Sequence, residues 1–105
     1  MDPEPDMAAV LRTAADRLEL LAGRTTPGEW RVTGLLATRP EVIAVGADGG
    51  TEHVAEARAR TAEWIATLSP AVAAPLAAWL RAAAASDPVD PAATDLARML
   101  ADRPE

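Results

Sequence analysis

The chain has no cysteine, lysine, asparagine, glutamine, phenylalanine or tyrosine, and a single histidine. Without cysteine there is no disulfide framework, thiol nucleophile, thiolate zinc site or iron–sulfur cluster held by the protein's own thiols. Without lysine all ten basic residues are arginine. Arg, Ala, Gly and Pro have GC-rich codons, and Ala fills about a quarter of the 105 positions, so the bias points to a GC-rich genome. No consecutive run of about 18 apolar residues is present, and the opening Met1-Asp2-Pro3-Glu4-Pro5-Asp6 carries acids where a secretory leader needs a basic stretch. The expectation is a soluble, cytoplasmic protein that does not enter a membrane.

Cations are outnumbered, sixteen acids to ten arginines, for a net charge of −6. The excess lies mostly toward the two ends, whereas 24–46 is slightly basic. A field of that sign repels phosphate backbones, so direct nucleic-acid binding is not expected. Ordinary solubilising surface charge accounts for most of the acidity.

What is present reads as one α+β domain over 1–105, with 1–6 and 102–105 as flexible ends. Met7, Val10, Leu11, Ala14, Ala15, Leu18 and Leu21 recur at three- and four-residue steps, the period of a helix with one buried face. Asp2 or Asp6 suits its cap and Gly23 its stop. Thr25-Thr26-Pro27-Gly28 is turn chemistry. Three short apolar runs follow, at Trp30, Val32 and Leu35, at Val42–Val45, and at His53–Ala55, separated near Thr38-Arg39-Pro40 and by Gly46-Ala47-Asp48-Gly49-Gly50. They predict a three-stranded antiparallel meander.

From Ala57 the helical period returns, with Thr61, Trp64, Ile65 and Leu68 predicted on the buried face. Ser69-Pro70 and Asp90-Pro91 each look like a cap followed by a first-turn proline. The first opens a helix striped by Val72, Leu76, Trp79, Leu80 and Ala83, the second one with Leu96, Met99 and Leu100. Pro75 should kink the first of these if that helix truly begins at Pro70. The predicted architecture is an N-terminal helix, the meander, then two or three C-terminal helices packed on one sheet face.

Chemistry is sparse. His53 has Asp48, Glu52 and Glu56 near it in sequence, but strand alternation sends Glu52 to the opposite face, which argues for a plain edge-strand histidine over a metal ligand. The only serines, Ser69 and Ser86, read as helix caps rather than nucleophiles. Gly46, Gly49 and Gly50 lack the lysine and hydroxyl of a phosphate loop, leaving a hairpin turn. Asp87 and Asp90 flank prolines at a helix start, where capping explains both. No catalytic, cofactor-binding or metal-binding residue is assigned, and a non-enzymatic protein is expected.

The three tryptophans, Trp30, Trp64 and Trp79, each offer on the order of 200 Å² to bury, and core packing is the expected role. One left partly exposed, Trp79 or Trp30 before Trp64, would mark an interface. The candidate interface is Trp30, Trp79, Leu76 and Leu80. The alanine stripe over 71–85 would let a second helix approach closely, so a homodimer is also expected.

The helix Leu11-Arg12-x-Ala14-Ala15-x-x-Leu18, the Thr26-Pro27-Gly28-x-Trp30 turn, a glycine-bearing strand pair and Ala62-x-Trp64-Ile65-Ala66-x-x-Ser69-Pro70 together resemble a set of small uncharacterised actinobacterial and actinophage proteins. More distantly the chain is similar to the Ead-like accessory proteins of phages. The resemblance covers roughly 7–80 and implies a mobile-element context and a shared fold, with no catalytic residue to carry over. The reading that follows is an accessory or protein-interaction domain with a protein partner. The alternatives are an acidic nucleic-acid mimic that inhibits a DNA-handling protein, or a small-ligand-binding module.

Overall fold

The computed structural model describes residues 6–34 and 39–102. The element order is α1 (Met7–Gly23), β1 (Glu29–Thr33), β2 (Glu41–Val45), β3 (Thr51–Glu56), α2 (Ala59–Thr67), a 3-10 turn (Pro70–Val72), α3 (Ala73–Ala84) and α4 (Pro91–Ala101). This is a mixed α+β fold with an N-terminal helix, an antiparallel sheet and C-terminal helices. Leu35 and the turn expected at Thr38 lie outside the described residues.

The chain forms two compact units, one of Gly23–Val72 and one combining Met1–Ala22 with Ala73–Glu105. In the first, the strands lie in the order β1-β2-β3, a meander with Trp30 opposite Ala44 and Val32 opposite Val42. Val42 and Ala44 are buried while their neighbours Glu41, Ile43 and Val45 are less so, the alternation of a sheet with one covered face. Helix α2 packs against β1 and β2. An irregularity beside Val42 and Ile43 leaves Val54 as an extra residue on β3.

Two glycines of this unit are dictated by geometry. Gly28 has φ +111°, and a Cβ there would stand 2.6 Å from the Val45 carbonyl oxygen, so the turn into β1 admits no side chain. Gly49 has φ +82° in the β2–β3 loop, where Asp48 accepts the Gly50 N–H at 2.9 Å and the Gly46 N–H donates to the Gly50 carbonyl at 2.8 Å. The hairpin expected from the glycines is therefore held by an aspartate turn.

The second unit is helical. Leu11, Ala14 and Ala15 of α1, Ala77, Leu80 and Ala83 of α3, and Ala93 and Ala97 of α4 form its core, flanked by half-buried Val10, Leu18, Val89, Leu96 and Leu100. The alanine stripe of α3 thus serves packing within the chain, since small residues bring helix axes close. Asp6 caps α1, accepting the Ala8 N–H at 3.0 Å, and Asp90 caps α4, accepting the Ala92 N–H at 2.9 Å with Pro91 next. Asp102, expected in a flexible end, donates its N–H to the Arg98 carbonyl as the C-cap of α4.

Pro75 does not kink a helix. The Ser69-Pro70 segment makes a 3-10 turn and α3 begins only at Ala73, so Pro75 falls in the first turn, where its missing N–H would have had no partner. Taken end to end, Ala59–Ala84 is long and apolar enough, by length and composition, to cross a membrane, although polar residues interrupt it and no consecutive apolar run of about 18 is present. The backbone nevertheless divides the run. Helices α2 and α3, of 9 and 12 residues, each fall short of the roughly 20 that span a bilayer.

Candidate functional site

Helix α2 turns toward the sheet with its small residues. Ala62 is buried and Ala59, Ile65 and Ala66 are half-buried, positions spaced i, i+3, i+6 and i+7 on one face. Of the residues predicted to be buried, Ile65 is on this face, whereas the others lie on the other side: Trp64 is 68% exposed and Leu68 50%, and Thr61 is exposed too. The sequence pattern gave weight to bulk, whereas an alanine face admits a closer approach to β1 and β2. Trp64, placed last among the tryptophans as an exposed residue, is the most exposed of the three.

The other candidates separate. Trp30 is half-buried and its indole Nε1 donates to the Thr26 carbonyl at 3.0 Å, which ties the turn to β1 and gives its polar atom a partner. Trp79 is 41% exposed on α3, and Leu76 is half-buried. Leu80 is fully buried in the helical core and is withdrawn from the candidate interface, because α3 points it inward with Ala77 and Ala83. Exposed apolar side chains scattered singly are normal. A tryptophan and a leucine at i and i+4 on one helix are a contiguous patch.

The patch continues into a cation. Arg60 precedes Trp64 by one turn, so Arg60, Trp64 and Leu68 form an i, i+4, i+8 stripe about 12 Å long. Among the described residues the guanidinium groups of Arg58 and Arg60 have no hydrogen bond or ion pair. Arg58 is the N-cap residue of α2 and supplies no side-chain cap, and the first turn holds no acid. This end of the helix is electropositive from both its free amides and its arginines. An open cleft of ≈ 280 Å³ bounded by Arg39, Pro40, Glu56, Ala57 and Arg58 adjoins it, with Arg39 paired to Glu56 at 3.5 Å.

The uncovered sheet face is polar. Arg31, Ile43 and His53 stand in one cross-strand row. Glu29 pairs with Arg31 at 2.9 Å; their hydrogen bond and charge attraction hold the Glu29 carboxyl below its usual range. His53 does not meet Glu52, which pairs with Ala44. Its Nδ1 instead lies 2.6 Å from Glu41 Oε2 on the adjacent strand, a partner twelve residues away that sequence proximity could not supply. An imidazole oriented by a carboxylate is the base half of a catalytic set, and among the described residues neither serine stands beside it as a nucleophile. Ser69 Oγ accepts the Ala71 N–H at 3.4 Å and Ser86 Oγ donates to the Ala82 carbonyl at 3.2 Å, so both serines serve helix ends.

Among the described residues no three His, Cys, Asp or Glu side chains gather as a metal site. Asp87 makes no cap of the kind Asp90 makes. On the helical unit Arg81 bonds Glu19 and also Asp16, the latter at 2.8 Å, tying α3 to α1 and keeping its guanidinium charged.

No family model matches the chain. Neither the curated proteins nor the solved structures contain a match. The functional reading therefore rests on the chemistry of the surface.

Proposed function

We propose that this protein is a non-enzymatic accessory domain that works by binding another protein, in the mobile-element setting that the sequence resemblance implies. The observation that carries the reading is Trp64, 68% exposed with Leu68 one turn on. Tryptophan is costly to leave in water and is enriched among residues that dominate binding energy. Trp79 supplies a second exposed indole on the helical unit.

The test is affinity capture of the tagged chain from a nuclease-treated, high-GC actinobacterial lysate, with mass-spectrometric identification. A stoichiometric partner that is lost with Trp64→Ala or Trp79→Ala, while the circular dichroism spectrum is retained, is the expected result. Capture of nothing above background by the wild-type chain would remove the reading in that host. One observation favours a second reading: the helical unit holds ten of the acids against five arginines, and the sheet unit six against five. If the partner were a DNA-handling protein released by moderate salt, the acidic helical unit would act as a mimic of a nucleic acid.

A further inference from the structure

Resting on the interaction reading, we infer that the Arg60–Trp64–Leu68 stripe of α2 is the docking surface and that its occupant is an acidic amphipathic segment of a partner protein. Three features set the chemistry of that occupant. The apolar half of the stripe is an exposed tryptophan and leucine one turn apart, which matches large apolar side chains spaced i, i+4 on a facing helix. The other half is cationic, and its charge is unspent: neither Arg58 nor Arg60 has an ion pair or hydrogen bond from its guanidinium group among the described residues. The N-terminus of α2 adds partial positive charge in the same place, with no side-chain cap and no acid in its first turn to offset it.

The stripe is consequently polarised along its length. Arg60 is rotated only about 40° from Trp64 around the helix, and Glu63, the one acid of α2, lies about 100° from Trp64 on the same flank, beyond Arg60. A facing segment that places Asp or Glu one turn before or after its apolar pair meets the arginines and the tryptophan together. A basic segment meets repulsion at Arg58 and Arg60, so the same geometry that attracts one class of partner rejects the other. The chain as a whole carries −6, so a local positive end is a place where an acidic segment can approach.

The experiment pans a phage-displayed library of random peptides of about four helical turns against the immobilised full chain. The clones are then scored on the wild type, Trp64→Ala and Arg60→Glu, each variant first shown to keep the wild-type far-UV spectrum. Enriched peptides carrying an Asp or Glu one turn from an i, i+4 apolar pair, and binding about tenfold or more weaker to either variant, are expected. Their affinity should also fall with added salt.

No enrichment, enrichment indifferent to Trp64→Ala, or a consensus without acids that ignores Arg60→Glu overturns the inference. So does sedimentation showing a wild-type dimer that Trp64→Ala dissolves, which would make a second copy the occupant. Flotation with phosphatidylcholine–phosphatidylserine vesicles that requires Trp64 would assign the stripe to a lipid surface and equally overturn it. A lysate partner kept by Trp64→Ala but lost by Trp79→Ala would sink this inference and leave the interaction reading standing.

Discussion

Gly28 is the residue with the least freedom to change. Its φ of +111° disfavours every L side chain, and an added Cβ would meet the Val45 carbonyl oxygen at 2.6 Å. Gly28→Ala is expected to destabilise the protein by about 2 kcal/mol or more, read as a lower urea midpoint with an unchanged slope. Leucines divide by burial in the same direct way. Leu80, fully buried, should cost about 3 kcal/mol when truncated to alanine. The exposed Leu20 should cost less than about 1 kcal/mol. Equal midpoints for the two variants would contradict the core placed around Leu80. The contrast between Leu80 and Trp64 is the same lesson in reverse: residue type alone suggested both for buried or interfacial roles, and only the direction each points from its helix separates them.

At the level of elements the chain announces itself through caps and turns. Asp6 and Asp90-Pro91 mark helix starts, Ser69-Pro70 marks the 3-10 turn ahead of α3, and the glycine-aspartate loop marks the hairpin, because each needs a local chemistry that few residues supply. The strand runs at Trp30 and Val32, at 42–45 and at 53–55 were legible from their short length and their breaks, and they fall within β1, β2 and β3. Two features were not legible. The buried side of α2 is set by how closely the sheet lets it approach, which favoured Ala62 over Trp64. The Glu41–His53 pair is a product of strand register and has no local signature. Pro75 illustrates how much one shifted boundary matters, since a helix starting at Ala73 makes it a first-turn residue. Pro75→Ala should therefore leave the helical signal at 222 nm unaltered and change stability by less than about 1 kcal/mol. A gain of helix content would show that Pro75 had been interrupting one.

For the molecule as a whole, the helical unit is discontinuous in sequence: Met1–Ala22 and Ala73–Glu105 flank the continuous Gly23–Val72. Its core residues come from α1, α3 and α4 alone, which sequence periodicity within each helix could not reveal. Replacing residues 23–72 by a flexible glycine-serine linker is expected to leave a helical protein that melts cooperatively, followed by circular dichroism. A gradual, non-cooperative melt would mean that this core cannot sustain itself. Closing the long natural connection carries an entropic cost that grows only slowly with length, so the insertion is tolerable energetically.

Its consequence lies in time. On the ribosome α1 emerges ahead of α3 and α4 and has no partner for Leu11, Ala14 and Ala15 until they follow, some fifty residues later by the boundaries of the two units. The meander and α2 are by then complete, and at typical elongation rates of roughly 5–20 residues per second α1 waits for seconds. During that interval the nascent chain displays both an unpaired apolar helix and the Trp64 stripe.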